Sequence, residues 1–332
     1  MTYRKLAQLV GVSPATVSKA LSGSGEISAE TAALVRRVAE EHGVVRPSYR
    51  REHTSKRVAV IVPEIVSVFY SVMATSITEI LSGQGFEASI MICGFSEERF
   101  FELLDLIESE KLADGVIALL PCRIPRKRGI PVVTVGSSGN ENRCDSVGGD
   151  MSSGVSDAVG HLVSLGHRHI GFIGEKNTVE KQKYFRKAIE NYKLDFSERD
   201  IFVSSRRFEM IGVEGAEYFM KMRSSPTAFI AAYDEVAFGA IHTFSQHGIR
   251  VPEDVSIIGI NDIPSSAFAL TPLTTIKTFS SEMISIASKL LIDRIENPGS
   301  HAIQKITLGC ELIIRSTTSK PKENSNEDLQ HS

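Results

Sequence analysis

The chain has 332 residues, which is too long for one ordinary hydrophobic core and predicts two or three folding units. Hydrophobic residues make up 42% and charged residues 23%, as in soluble globular proteins. The net charge of −3 conceals an asymmetry, because residues 1–57 hold ten Lys or Arg and five Glu, a net +5, which leaves −8 on the remainder. A basic end on an acidic body indicates a polyanionic partner, with an unevenly charged surface as the alternative.

Cysteine usage and hydropathy exclude several classes of protein. The four cysteines (Cys93, Cys122, Cys144 and Cys310) lie far apart, which argues against a disulfide framework or a zinc knuckle and fits a reducing compartment. The N-terminus has no long apolar stretch, and no run of about 18 apolar residues occurs in the sequence. We therefore expect a cytoplasmic protein with no signal peptide and no membrane contact.

Residues 1–47 contain three short helical patterns. The first follows Thr2, an N-cap candidate, and the third begins after Ser28. The second has Ser13 as N-cap and Pro14 at its first position, where the missing N–H costs nothing. Two short helices joined by a tight turn and supported by a third are typical of a helix-turn-helix headpiece. Helical patterning alone leaves a small bundle for protein contacts as an alternative.

The second helix has an outer face suited to DNA. Val17, Ala20 and Leu21 recur at helical spacing and are predicted to face inward. Small side chains on the opposite face allow close approach to base edges, Lys19 can reach guanine or phosphate, and the hydroxyls can bind phosphates. The predicted DNA-binding residues are Thr2, Tyr3, Ser13, Pro14, Ala15, Thr16, Ser18, Lys19, Ser22, Arg50 and Arg51.

The headpiece resembles that of the LacI/GalR family of bacterial transcription regulators. The string GVSPATVSKAL (11–21) is similar to the family's recognition-helix signature. The resemblance implies that residues 13–21 enter the major groove. The family's usual hinge helix, with its leucine wedge, has no match in residues 48–57, where Thr54 takes the leucine position. This segment is predicted to be a basic, atypical linker.

The remainder of the chain alternates apolar runs with helical patterns. Near-continuous apolar runs between helices predict parallel sheets covered on both faces, and their number favours two similar α/β lobes. The predicted strands are 58–63, 86–92, 114–120, 130–135, 169–173, 228–232 and 255–260, and the predicted helices are 68–83, 97–110, 151–165, 208–222 and 235–247.

The family resemblance extends over this body, to about residue 315. DSVGGDMSSGVSDAVGHLVSLGHRHIGFIG (145–174), PTAFIAAYDEVAFGAI (226–241) and GIRVPEDVSIIGINDIP (248–264) match family landmarks in order. They imply a periplasmic-binding-protein-like sensor of two Rossmann-like lobes with ligand in the cleft, beyond the carboxyl ends of the strands. The expected domains are a headpiece over 1–47, the linker over 48–57, a two-lobed ligand-sensing and dimerisation domain over 58–315, and a disordered tail over 316–332. Lobe 1 comprises about 58–148 and 278–298, and lobe 2 about 149–276 and 300–315.

The resemblance also implies candidate effector-binding residues: Phe69, Tyr70, Asp150, Lys181, Tyr184, Tyr233 and Asn261. Lys181 stands where the family usually has arginine, and Tyr233 stands in place of the asparagine of an Asn-Asp pair. The alternatives are an N-cap role for Asp150, a surface position for Lys181, and core positions for the two cleft aromatics Phe69 and Tyr70. The set favours a sugar or sugar derivative.

No chemistry beyond binding is indicated. His167 and His169 lack further ligands at metal spacing, and no nucleophile elbow, phosphate loop or zinc-protease motif occurs. The sequence therefore predicts a non-enzymatic, cofactor-free repressor that binds a palindromic operator in duplex DNA as a homodimer and responds to a small molecule. A periplasmic-type solute-binding receptor is the alternative.

Overall fold

The computed structural model describes residues 3–22, 27–42, 56–120, 124, 128–136, 143–299 and 302–322. The chain divides into two compact units, residues 1–56 and 57–332. Of the predicted linker only Lys56 and Arg57 are described, so the prediction of an atypical hinge lies outside the described residues.

In chain order the helices and strands are α1 (Tyr3–Val10), α2 (Pro14–Ser22), α3 (Ala29–Glu41), β1 (Lys56–Val62), α4 (Val68–Gly83), β2 (Phe86–Ile92), α5 (Glu97–Ser109), β3 (Gly115–Ala118), β4 (Val132–Val135), β5 (Asp145–Gly149), α6 (Met151–Leu165), β6 (Ile170–Glu175), α7 (Val179–Asn191), β7 (Ile201–Ser204), α8 (Glu209–Met220), β8 (Ala228–Ala231), α9 (Asp234–Gln246), β9 (Ser256–Asn261), α10 (Ser265–Phe268), β10 (Thr275–Lys277), α11 (Ser280–Glu296), β11 (Lys305–Leu308) and β12 (Glu311–Ile313). Short 3₁₀ turns lie at Lys176–Thr178 and Glu198–Asp200.

The first unit is a three-helix bundle. Its core joins one face of each helix and consists of Leu6, Ala7, Val17, Ala20, Leu21, Val35 and Ala39. The inward face predicted for α2 is therefore the buried one, because residues 17, 20 and 21 return to the same side of a 3.6-residue helix.

The second unit contains two six-stranded sheets, as the mixed α/β composition of the body requires. The first has the order β11-β5-β4-β3-β1-β2, and the second has the order β12-β10-β9-β8-β6-β7. Strands β1 and β3, β3 and β4, β4 and β5, β5 and β11, β6 and β7, β6 and β8, β8 and β9, and β9 and β10 pair parallel, whereas β10 and β12 pair antiparallel. Strands such as β3 and β8 are buried at every position, since helices cover both faces of each sheet.

Three short crossovers join the two lobes. The chain passes between the sheets after β5, after β10 and between β11 and β12. The expected boundary near residue 300 was wrong, because β11 pairs with β5 in the first sheet, with Ile306 opposite Val147. Asp145 fixes that edge, accepting from the Gln304 amide at 2.7 Å and from Arg294 Nε at 2.8 Å.

The segment after Arg315 also differs from the prediction. Residues 316–322 were expected to belong to a disordered tail, but Thr317 is fully buried in lobe 2. Its Oγ1 accepts from the Thr274 amide at 2.9 Å and donates to the Ile257 carbonyl at 2.7 Å. A low content of apolar residues does not reveal such pairing, because its stabilisation comes from buried hydrogen bonds.

Among the described helices, none is long and apolar enough to cross a membrane.

Replacing Thr317 with Val tests this attachment. The change keeps the side-chain shape but leaves a buried donor and a buried acceptor unpaired, so we expect a loss of about 2 kcal/mol or more in the free energy of unfolding. Urea unfolding followed by circular dichroism measures it, since the chain has no Trp. Thr307→Val, at an exposed position, is the control. Equal stability of the two variants would contradict the assignment.

Candidate functional site

The outer face of α2 is exposed in the first unit. Ser13 caps the helix, since its Oγ accepts from the Thr16 amide at 3.0 Å. The exposed residues of this face are Ser13, Pro14, Ala15, Ser18 and Lys19, with Thr16 half-buried. Thr2, Arg50 and Arg51 lie outside the described residues, as do the side chains of Tyr3 and Ser22.

A cavity of 760 Å³ lies between the lobes of the second unit. Its walls come from residues at or just beyond the carboxyl ends of strands in both sheets, which is where open α/β sheets bind ligands. Six of the predicted effector-binding residues line it, namely Phe69, Tyr70, Lys181, Tyr184, Tyr233 and Asn261. Phe69 and Tyr70 also pack against the core of lobe 1, so the core alternative describes part of their surroundings.

Asp150 has a different place from the other predicted residues. Gly149 and Met151 line the cavity, whereas the Asp150 carboxylate caps α6. It accepts from the amide and the hydroxyl of Ser153 at 3.1 and 2.6 Å, and these bonds lower its pKa. The N-cap alternative is therefore the observed role, and effector contact by Asp150 remains a prediction.

Arg207 is the centre of the charged network in the cavity. Its guanidinium donates to Glu64 at the end of β1 (2.7 Å) and lies 3.3 Å from Glu175 at the end of β6. It therefore ties lobe 1 to lobe 2. The rings of Phe95 and Phe208 hold it on two sides, with centroids 4.8 and 4.9 Å away.

Phe95 and Phe208 adopt backbone conformations that non-glycine residues rarely use. Their φ angles are +59° and +58°. Each such residue costs on the order of 1–3 kcal/mol, and strain of this kind persists where the surrounding structure requires it. Both strained residues hold the same guanidinium, which indicates that its position matters to the cleft.

Tyr233 connects this network to the start of α9. Its hydroxyl donates to Glu175 Oε1 at 3.1 Å and accepts from the Phe208 amide at 3.3 Å. Burial raises the pKa of both the Tyr233 phenol and the Glu175 carboxyl, the latter despite the opposing charge of Arg207. The phenol is therefore a fixed donor at neutral pH.

Lys181 is not a surface lysine, so that alternative was wrong. Its side chain is half-buried in the cavity wall, and its ammonium donates to the Ala232 carbonyl at 2.6 Å. Burial lowers the pKa of Lys181 to about 8, against the attraction of Asp234 and Glu235. The cleft therefore contains, beside several carboxylates, a lysine whose protonated form is destabilised by burial.

Asp234 is the structural anchor of this wall. It is fully buried, and it accepts hydrogen bonds from the Ile263 amide at 2.8 Å, the Ser266 hydroxyl at 2.9 Å and the Thr275 hydroxyl. Burial raises its pKa to about 7, although all three bonds act in the opposite direction. A Cβ at Gly259 would overlap the Asp234 carboxylate, so this strand position requires glycine.

The helices α8 and α9 pack without side chains between them at two points. A Cβ at Gly239 would overlap the carbonyl oxygen of Glu209, and one at Gly212 would overlap that of Val236. This close approach of the two backbones sets the spacing of the helices, whose N-terminal ends carry Phe208 and Asp234.

Several cavity residues were missed by sequence reasoning: Glu64, Phe95, Glu175, Arg207, Phe208 and Glu235. A signal for the acids was present, since Glu64, Glu175 and Glu235 each follow a predicted strand by one to three residues.

Among the described residues, no three His, Cys, Asp or Glu side chains converge on a possible metal position. His167 instead bonds Thr227, Ser256 and the Ser319 carbonyl.

Comparisons with known proteins follow the same division of the chain. Residues 2–46 match a family model described as "Bacterial regulatory proteins, lacI family", and residues 159–318 match a "Periplasmic binding protein-like domain". The chain is 30% identical over 332 residues to the HTH-type transcriptional repressor CytR of Escherichia coli, covering 96% of each protein.

Solved structures give the same result. The complex of the transcriptional regulator CelR with cellobiose is 25% identical, with a TM-score of 0.69 and coverage of 96% of this chain and 99% of the other. A LacI family transcriptional regulator from Enterococcus faecium with bound ribose is 25% identical with a TM-score of 0.69, over 80% of this chain and 100% of the other.

The lowered pKa of Lys181 predicts a pH dependence. Between about pH 8 and 10 the unfolded chain binds a proton at Lys181 that the folded chain releases, so this residue makes the free energy of unfolding rise with pH. The increase in the free energy of unfolding with pH should be smaller in Lys181→Met than in the wild type. It should be unchanged in Lys183→Met, which replaces an exposed lysine paired with Glu180. Unfolding midpoints of the three proteins at pH 7.5 and 9.5 measure it, and parallel curves would contradict the burial of Lys181.

Proposed function

The chain belongs to the LacI family of bacterial regulatory proteins, and from that premise we propose that it is a repressor which binds a palindromic operator as a homodimer and responds to a sugar or sugar derivative. The chain is a DNA-binding transcription regulator controlled by a ligand, and its family consists of regulators. The alternative of a solute receptor without regulatory role is wrong, because residues 2–46 are the family's DNA-binding domain.

The exposed face of α2 supports the proposal that the chain binds an operator. Pro14, Ala15 and Ser18 present little bulk beside Lys19, so the helix can lie deep in the major groove. The α2 N-terminus and the Ser13 and Thr16 hydroxyls suit phosphate contacts, which fix orientation without reading sequence. Lys19 is then the side chain with the reach to bind guanine acceptors.

The interlobe cavity supports the sensing part. Its volume accommodates a mono- or disaccharide-sized ligand, and aromatic walls with a few polar groups are typical of such sites. The cellobiose-bound and ribose-bound relatives support a carbohydrate ligand, and the name of the Escherichia coli relative supports repression. An effector that contacts residues of both lobes favours one lobe arrangement, and its differential affinity for the two states sets how far it can shift DNA binding.

A dimer is expected because one helix makes few base contacts, and two half-sites together supply the affinity of a specific complex. Sedimentation equilibrium of the full chain at micromolar concentration should give twice the 36.3 kDa chain mass. Sites selected from a random duplex library should be two-fold symmetric. A monomer that selects asymmetric sites would refute this part of the proposal.

Lys19→Ala tests base reading by α2. We expect it to weaken binding to the selected duplex by about 1–3 kcal/mol and to leave binding to random duplex nearly unchanged, since a base contact carries the specificity. Electrophoretic mobility shifts at fixed salt measure both affinities, with Lys187→Ala on an exposed part of the body as control. Equal losses on both duplexes would show a phosphate contact instead.

A further inference from the structure

Glu235 is a buried carboxylate that is attracted by the Lys181 charge but forms no ion pair with any described residue. Only 6% of the residue is exposed, yet neither carboxylate oxygen has a hydrogen-bond partner among the described residues. The residue lines the interlobe cavity at the first turn of α9. Buried carboxylates are normally paired or hydrogen-bonded, because desolvation of an ion without compensation is costly.

The nearby cations do not supply the missing partner. Arg207 is held by Glu64 and Glu175. Lys181 donates to the Ala232 carbonyl. The positive end of the α9 dipole favours a negative charge at Glu235 but offers part of the compensation only.

With its acids ionised, the cavity lining has one negative charge in excess, and burial raises the pKa of Glu235, which disfavours this ionised form while no cation is bound. Three carboxylates, Glu64, Glu175 and Glu235, face two cations, Lys181 and Arg207. The further acid in the lining, Glu180, is exposed and paired with Lys183, so solvent screens it. A ligand with one positive charge would neutralise the site, whereas a neutral ligand would enclose the excess charge in a closed cleft at a cost.

The remaining walls suit a cation attached to a larger body. The aromatic side chains of Phe69 and Tyr70 line the cavity, and aromatic rings attract both cations and the apolar face of a sugar ring. Asn261 provides a polar group for hydroxyls.

We propose that the effector carries a protonated amine on a hydroxylated body, as an amino sugar does, and that this ammonium group binds Glu235. The inference rests on the proposed sensing function of the cavity and names the chemical class of its ligand. A hydroxyl donor could fill the hydrogen-bonding capacity of Glu235 but not its charge, so the amine distinguishes this ligand from a neutral sugar.

The binding test uses the full chain and matched pairs of probes. D-glucosamine, D-galactosamine, D-mannosamine and glucamine are titrated calorimetrically at pH 7 beside D-glucose, D-galactose, D-mannose and sorbitol. At least one amine should bind ten-fold or more tightly than its neutral counterpart. Glu235→Gln should abolish that preference, and Glu190→Gln, at an exposed position outside the cavity, should retain it. A neutral member that binds as tightly as its amine, a preference that survives in Glu235→Gln, or a panel in which no amine binds would overturn the proposal.

A second measurement needs no ligand. Since the unpartnered carboxylate destabilises the free protein, Glu235→Gln should raise the melting temperature by about 2 °C or more, and Glu190→Gln should leave it unchanged. A melting temperature that falls in Glu235→Gln would show a structural partner for the carboxylate and would overturn the inference.

The DNA-binding readout separates this inference from the proposed function. Each probe is added to wild-type protein on its selected duplex. If a neutral sugar and no amine changes the affinity for the duplex, the ligand class is wrong and the proposed function stands. If an amine binds through Glu235 and the affinity for every selected duplex is unchanged, the ligand class stands and effector control by this cavity fails.

Discussion

The buried carboxylate of Asp234 sets the geometry on which the cleft depends. It receives an amide from the loop after β9, a hydroxyl from α10 and a hydroxyl from β10, and it stands at the first position of α9. These bonds fix the chain neighbours of Asp234, Tyr233 and Glu235, at the cavity wall. A carboxylate with three buried donors tolerates no movement without leaving donors unpaired, and Gly259 leaves room for nothing larger than a hydrogen atom beside it.

The hydrogen-bonded wall around Asp234 contrasts with the charged side chains that face the cavity. Asp234 accepts three hydrogen bonds, whereas the Glu235 carboxylate has no hydrogen-bond partner among the described residues, and Arg207 is held by two aromatic residues in strained backbone conformations. Such local costs are tolerated where a rigid surrounding structure offsets them, and they are concentrated at binding sites. The free protein is therefore less stable at the cleft than its core would allow, and a ligand that supplies the missing interactions recovers the difference.

Local patterns predicted the parts of the fold that local forces determine. The inward residues of α2 and the buried strands β1, β6 and β8 follow from helical spacing and apolar runs. The short strands β5 and β11 have neither signal, and their common sheet depends on pairing between residues some 160 positions apart, as Ile306 and Val147 show. The same limit explains the tail, where Thr317 is ordered by partners 43 and 60 residues away.

The cleft was predicted in part for a related reason. Family resemblance indicated Lys181 and Tyr233 because their positions are landmarks, but it did not indicate which carboxylate would lack a partner. Whether a carboxylate has a partner depends on the three-dimensional structure. Glu175 and Glu235 both come at the ends of apolar strands, but Glu175 contacts Arg207 and Tyr233, whereas Glu235 has no hydrogen-bond partner among the described residues. A rule that collects charged residues after predicted strands would have found both without distinguishing them.

The glycine contacts between α8 and α9 have a consequence for how such a sensor changes over evolutionary time. Backbone atoms of one helix touch those of the other, so the frame is independent of the side chains that project from the helix ends into the cavity. Residues such as Arg207, Phe208 and Glu235 can then be exchanged for others while the fold persists. Gene duplication followed by a few substitutions at these positions would produce regulators with new specificities, and the same positions are the ones to randomise when the body is engineered as a biosensor.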